Sequence, residues 1–340
     1  MFGQGICGYT RLYRELGQMT QHAGKQADME NISIDVIIPT YKPDERFIRL
    51  LELLGSQTRP VSKILIINTE KEYYDRFFER RSIPWSVRDI TEVIHIKKEE
   101  FDHGGTRRMA VQKSKSDFFV MMTQDALPYD NTLIKELTEP LLLDPRIAVS
   151  YARQLAAPGA RETEKYTRKF NYPAQSRVKS SQDLVTLGIK TYFCSNVCAA
   201  YNRKIYDETD GFIERTIFNE DMIMAATLVK KGYCISYTSS ARVYHSHNYT
   251  CVQQFRRNFD LAVSQTDHPE VFKGISSEKE GTRLVKDCIA YLKDMHMRYL
   301  IPGFVLNCGA RFLGYRAGRR YKLFPKSLRR IMSAQPSYWK

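Results

Sequence analysis

The chain has no run of about 18 or more consecutive apolar residues, so its sequence offers no membrane-spanning helix. The first thirty residues hold Arg11, Arg14 and Lys25 but no apolar core of a secretory signal. Seven cysteines form an odd, scattered set, and Cys194 and Cys198 stand as C-x3-C with no matching pair elsewhere. That argues against a zinc site and points to reduced, buried thiols of a cytosolic protein. Between Met295 and Lys340 there is no Asp or Glu against ten Lys or Arg, so this tail supplies most of the net charge of +14. The rest of the chain is closer to neutral, and a basic tail fits a polyanion: membrane headgroups, a lipid diphosphate or nucleic acid.

What is present is enough for a real core: 43% of the 340 residues are hydrophobic. Met29 stands just before the first expected strand, so residues 1–28 read as an extension, a tag or an upstream start. Ile34-Asp35-Val36-Ile37-Ile38 is a β-rich run closed by Pro39-Thr40. Pro43-Asp44 then opens a helix with Phe47, Leu50, Leu51 and Leu54 at helical spacing, and Ile64–Ile67 is the next strand, ending at Asn68. Strand, helix and strand in so short a span make a βαβ unit with a parallel sheet. Further strands are expected at 93–96, 118–122, 147–152, 197–201, 233–237 and 242–244. Helices are expected at 104–116, 131–143, 221–231 and 252–263. The alternation predicts a doubly wound α/β fold, with residues 155–190 polar and irregular and the chain end helical and basic.

Four places carry chemistry. Asp125 ends the apolar strand Phe118–Met122; alone it is either a turn residue or a ligand for Mg²⁺ or Mn²⁺, hard cations that take carboxylate and phosphate oxygens. Glu220-Asp221 opens a helix; the pair either offsets the helix dipole or supplies a general base from a rigid helix start. In His245-Ser246-His247 two imidazoles do not make a zinc site; His245 is either a hydrogen-bonded polar residue or a neutral nitrogen added to a metal held by Asp125 and a diphosphate. Phe101 to Arg108, with Gly104-Gly105 opening a helix, offers backbone N–H groups and arginines to an anion, although this loop is neither a P-loop nor G-x-G-x-x-G. One acid for a metal on phosphate and another for a proton together point to group transfer from a nucleotide-activated donor.

In order along the chain, these pieces resemble the family-2 glycosyltransferases, inverting enzymes of the GT-A fold, and more narrowly the bacterial rhamnosyltransferases that use dTDP-L-rhamnose. The features are Ile38-Pro39-Thr40-Tyr41, Phe101-Asp102-His103-Gly104-Gly105-Thr106-Arg107, Thr123-Gln124-Asp125-Ala126, Phe170-Asn171-Tyr172-Pro173, Ser195-Asn196, Glu220-Asp221, and His245-Ser246-His247 with Phe255-Arg256-Arg257. They run from about residue 33 to 260, with the ending Ser337-Tyr338-Trp339. The resemblance implies an α/β/α sandwich around a mixed, mainly parallel sheet. It implies an N-terminal extension over 1–32, disordered or helical, a catalytic domain over 33–265, and a helical basic region over 266–340 for membrane or acceptor association.

The resemblance also implies roles. Pro39, Thr40, Tyr41, Asn68, His103, Gly104, Gly105, Arg107, Gln124 and Asp125 would bind the nucleotide sugar, with Asn68 standing where the family usually has Asp. Thr123-Gln124-Asp125 stands for the family's D-x-D, leaving Asp125, helped by His245, to hold the metal, Mg²⁺ or Mn²⁺. Asp221 matches the catalytic base, and Glu220, Ser195 and Asn196 would lie near the acceptor and sugar. The donor implied is dTDP-L-rhamnose. The acceptor is a polyprenyl-diphosphate-linked glycan at the anionic inner leaflet, to which a cytoplasmic enzyme would bind peripherally. A solvated basic helical tail or a dimer contact is the other reading of this region. Another donor, a UDP- or dTDP-hexose or UDP-galactofuranose, is the near alternative. Nucleic-acid binding, raised by the charge and 21 tyrosines, finds no fold signature and a charge that sits mainly in the tail.

Overall fold

The computed structural model describes residues 32–273 and 278–339. The N-terminal extension expected over 1–32 lies outside these, Ile32 apart. β1 (Ile34–Tyr41) is buried over most of its length, as its β-branched run requires of a central strand. The Asp44 carboxylate accepts the Arg46 N–H and caps α1 (Glu45–Gly55), which buries Phe47, Leu50, Leu51 and Leu54 on one face. β2 (Lys63–Thr69), α2 (Lys71–Phe78), β3 (Thr91–Ile96), α3 (His103–Lys113) and β4 (Phe118–Met122) follow. β1 pairs in parallel with β2 and β4, and β2 with β3.

The second half adds β5 (Leu127–Pro128), α4 (Leu133–Leu143), β6 (Ile147–Leu155), α5 (Glu162–Asn171), β7 (Arg177–Lys179), β8 (Cys198–Asn202), α6 (Glu220–Lys230) and β9 (Cys234–Tyr244). The sheet has the order β3-β2-β1-β4-β8-β6-β9-β5, with β7 on β9. β8 runs antiparallel to β4 and β6, and β9 parallel to β6. The expected α/β architecture with a mixed sheet is therefore present. Its consequence for function is that β1 and β4 end side by side, and a sheet of this kind binds ligands beyond the carboxyl ends of its strands.

Two expectations are corrected. Residues 155–190 are not wholly irregular: they contain α5 and β7. α5 buries only Thr167 and is held by Glu162–Lys165 and Glu164–Arg168 ion pairs and by Tyr166, whose ring lies 4.9 Å from that of Tyr291, so it offers few apolar residues from which to read a helix. The strands expected at 233–237 and 242–244 are one strand, β9. Its register against β6 shifts so that Ala152 faces Thr238 and Arg153 faces Arg242. The intervening Ser239-Ser240-Ala241 bulges, with the Ser239 N–H donating to Ser176 Oγ at 2.9 Å, instead of turning the chain.

The chain continues through α7 (Cys251–Asp267), α8 (Glu278–Asp294), α9 (Ile301–Gly318) and α10 (Lys326–Met332). α9 lies against α7 at very short range. A Cβ on Gly314 would meet the Phe255 carbonyl oxygen at 2.2 Å, and one on Gly318 the Phe259 oxygen at 2.3 Å. This approach turns Gly314 and Gly318 inward, Phe304 is buried against Cys288 and Leu292 of α8, and Val305, Leu306, Phe312 and Leu313 stay exposed on the opposite face. Among the described residues no helix is long and apolar enough to cross a membrane.

Candidate active site

A cavity of about 260 Å³ opens where β1 and β4 end and α3 begins. Pro39, Thr40 and Tyr41 form one side, Thr123 and Gln124 another, and Phe101, His103 and Arg107 a third. Gln124 fastens the two strand ends together: its Oε1 accepts the Tyr41 N–H at 2.8 Å and its Nε2 donates to the Tyr41 carbonyl at 3.0 Å. Three lining residues keep a buried polar atom that has no partner among the described residues: His103 Nε2, Arg107 Nε and Thr123 Oγ1. Buried polar atoms left this way fit a polar ligand.

Not every expected residue reaches the cavity wall. Asn68 is fully buried, its Nδ2 3.2 Å from the Glu70 carbonyl and 3.0 Å from His95 Nδ1; its neighbour Thr69 lines the cavity instead. Gly104 and Gly105 do not offer their amides to an anion. Both N–H groups donate to Asp102 Oδ1, at 3.1 and 2.6 Å, because an N-cap carboxylate one turn away satisfies the helix start first. Gly104 serves packing: a Cβ there would lie 1.6 Å from the Ile213 carbonyl oxygen. Arg108 points elsewhere, toward Glu214 at 3.5 Å.

The two acids at the start of α6 have separate environments. Asn219, in the left-handed conformation at φ 65°, turns the chain into the helix. Glu220 is buried 3.3 Å from Arg107, which itself donates to the His103 carbonyl at 2.7 Å. Burial resists the Glu220 charge, but Arg107 and then His103 outweigh it and hold the carboxyl below its ordinary range. Asp221 faces the reverse balance. Burial and then the Glu220 charge push it up to about 7, although the N–H groups of Asn196 and Met222 donate to it at 3.1 and 2.8 Å. Asn196 also donates from Nδ2 to Glu220 at 3.3 Å and accepts the Tyr201 hydroxyl at 2.7 Å. Ser195 lies a step further out, its Oγ taking a bond from Gln154 Nε2 at 3.0 Å.

Asp125, His245 and His247 converge so that one ligand atom from each lies within 4.8 Å of the others. The two Nε2 atoms are 3.0 Å apart, and Asp125 oxygens lie 3.7 Å from His245 Nε2 and 3.4 Å from His247 Nε2. Burial keeps both imidazoles neutral by lowering their pKa. His245 Nδ1 sits 2.9 Å from Gln154 Oε1, so the ring donates there and leaves Nε2 with its lone pair inward. Sequence reasoning misses His247 as a ligand; the H-x-H spacing is the signal that could have found it. The six cysteines among the described residues are free, and burial pushes the Cys194 thiol up to about 12.

A cavity with unpartnered polar atoms at the ends of parallel strands, a cluster of one carboxylate and two imidazoles, and a buried acid pair fit an enzyme of group transfer. The chain belongs to glycosyl transferase family 2, whose model matches residues 35–210. It is 36% identical over 310 residues to the O-antigen chain rhamnosyltransferase RfbN of Salmonella typhimurium, covering 91% of this chain and 96% of that protein. The O-antigen chain rhamnosyltransferase WbaN of Salmonella anatum is also 36% identical over 310 residues, covering 90% and 96%. Among solved structures, the mannosyltransferase PcManGT from Pyrobaculum calidifontis, in complex with GDP-Man and Mn²⁺, matches with a TM-score of 0.51 at 13% identity, over 91% of this chain and 85% of that one. At that identity the likeness is one of fold.

Proposed function

We propose that this glycosyltransferase moves L-rhamnose from dTDP-β-L-rhamnose to a hydroxyl of a surface-polysaccharide glycan carried on polyprenyl diphosphate. The observation that carries the reading is the 36% identity, over nearly their whole length, to proteins named O-antigen chain rhamnosyltransferases. The cavity supports it, because Thr40, Tyr41, Arg107 and Gln124 are gathered around unpartnered polar atoms.

Asp221 takes the proton of the acceptor hydroxyl while that oxygen bonds to the anomeric carbon. The anomeric carbon–oxygen bond to the diphosphate breaks on the opposite face, inverting the configuration. Two backbone N–H groups aim the carboxylate, and its raised pKa suits a base working near neutral pH. Glu220, charged and tied to Arg107, joins the acid pair to the cavity wall and holds Arg107 on the donor side. Asp125, His245 and His247 would hold a divalent cation, and the donor set fits one: a carboxylate with two neutral imidazoles, one fixed by Gln154. Two nitrogens suit Mn²⁺ better than Mg²⁺, which keeps to oxygen. Such an ion, when bound, neutralises charge on the departing diphosphate.

The exposed apolar stripe of α9 beside the acid-free basic tail supports docking on an anionic inner leaflet, where such an acceptor resides. A donor panel with purified protein tests the assignment. Turnover of dTDP-L-rhamnose with a lipid-linked acceptor is expected; turnover of UDP-hexose or UDP-galactofuranose without it refutes the donor.

A further inference from the structure

The chain end returns to the cavity. Gln335 and Ser337 line it, yet they lie more than two hundred residues beyond Gln124. This placement is not a loose drape. Asp260 on α7, almost fully buried, accepts the Ala334 N–H at 2.8 Å. Trp339 is buried beside Tyr321, Phe259 and Tyr338, with ring centroids 5.6, 6.2 and 5.2 Å away. Between these two anchors the segment is short and its backbone has little freedom. The Tyr338 hydroxyl donates to the Arg215 carbonyl at 3.3 Å, and the Arg215 N–H donates to Asp102 at 3.2 Å. Asp102 caps α3, the helix that carries His103 and Arg107 into the same cavity. The tail therefore lines the cavity and is bonded to the loop that braces the α3 part of its wall.

Gln335 and Ser337 are also chemically suited to a ligand. An amide and a hydroxyl both donate and accept, which matches the edge of a nucleobase or the hydroxyl and phosphate oxygens of a nucleotide. Both side chains are half-buried, and among the described residues neither makes a hydrogen bond to the protein.

We propose that Gln335 and Ser337 are contacts for the donor nucleotide, and that the anchored segment from Ser333 to Trp339 is the closing wall of the donor site. This rests on reading the cavity as the donor pocket. A basic tail that only held the enzyme to a surface would need neither two deep anchors nor two unpaired polar side chains turned onto the cavity.

Calorimetric titration of the full chain with dTDP, UDP and GDP tests it, with thermal unfolding run alongside. Gln335→Ala and Ser337→Ala should each weaken the nucleotide that wild type prefers by about 3- to 10-fold, with an unchanged melting temperature. The KM for donor should rise with kcat within about twofold, since these residues act in binding. Ser337→Trp should fill the cavity and abolish nucleotide binding in a protein that still unfolds cooperatively. If wild type binds and all three variants bind equally well, the tail assignment is overturned while the donor pocket stands. If wild type prefers UDP or GDP, the thymidine reading fails and the variants are judged on that nucleotide. If wild type binds none of the three, both readings fall.

Discussion

The backbone N–H of Asn196 donates to Asp221 Oδ2 at 3.1 Å while the Met222 N–H holds Oδ1 at 2.8 Å. A carboxylate gripped by two amides keeps one orientation, and burial beside Glu220 nevertheless pushes its pKa up to about 7. Activity at low substrate should therefore climb as pH rises through about 7, where Asp221 becomes a base. Asp221→Asn should lose about 10²- to 10⁴-fold in kcat and keep nucleotide affinity. The sign for stability is opposite. The folded carboxyl keeps its proton where an unfolded Asp, near a pKa of about 3.9, has lost it. Its stabilising contribution is full below about pH 4 and is lost as pH rises through about 7. The difference in unfolding free energy between wild type and Asp221→Asn across that window measures it, and a flat difference would remove the raised pKa.

Arg107 and Glu220 form an ion pair at 3.3 Å with both side chains only 8% exposed. Removing one partner strands the other charge in the interior, so Arg107→Met or Glu220→Gln should each destabilise by about 3–5 kcal/mol. Removing both should cost less than the sum, because neither charge is then left alone. Denaturant unfolding of the two single variants and the double variant gives the coupling; additive losses would mean the pair is not linked as described. Donor binding should fall in every Arg107 variant regardless of stability, since Arg107 also lines the cavity.

Much of this was legible in the sequence for a plain reason. Strands such as Phe118–Met122 are buried on both faces and read as continuous apolar runs, and the acids that matter sit where those runs or the helices they feed begin or end. What was hidden depends on pairs distant in sequence. Asp102 satisfying the Gly104 and Gly105 amides was within reach, since an Asp before two glycines is a capping signal that competes with anion binding for the same N–H groups. Gln335 on the cavity was beyond reach, because only the packing of Gly314 and Gly318 on α7 and the burial of Trp339 carry the tail there. Asn196 shows a third kind of gap. Its place near the acids was expected, but its work of bonding both of them follows from the turn that ends before β8.

Asp125, His245 and His247 should bind Mn²⁺ more tightly than Mg²⁺, because two of three protein ligand atoms are nitrogen. Calorimetry or Mn²⁺ paramagnetic resonance in the presence of dTDP gives the affinities. Asp125→Ala and His247→Ala should each weaken Mn²⁺ by at least about 10-fold, and His247→Ala should narrow the preference for Mn²⁺ over Mg²⁺. Gln154→Ala should weaken Mn²⁺ less than either, acting only by releasing the His245 ring. Unchanged Mn²⁺ affinity in His247→Ala would reduce the cluster to Asp125 and His245.

α9 presents Val305, Leu306, Phe312 and Leu313 at 46, 67, 56 and 60% exposure, on the face opposite the glycines that pin it to α7. Residues spaced one, seven and eight positions apart share one side of a helix, so they form a stripe and not scattered surface contacts. Burying a large aliphatic or aromatic side chain is worth about 1.5–3 kcal/mol, and each Lys or Arg near an anionic bilayer about 1 kcal/mol. Vesicles containing anionic lipid should therefore retain the wild-type protein, and neutral vesicles should retain less. Phe312→Ser with Leu313→Ser should cut partitioning by about 10²-fold at any salt concentration. Arg319→Glu with Arg320→Glu should instead weaken binding to anionic vesicles and reduce its salt sensitivity. Both variants should keep wild-type affinity for dTDP, because neither pair lines the cavity proposed for the donor. Equal partitioning of wild type and the Phe312, Leu313 variant would leave the stripe without a membrane role and return the tail to a dimer contact, which sedimentation of the same samples would reveal.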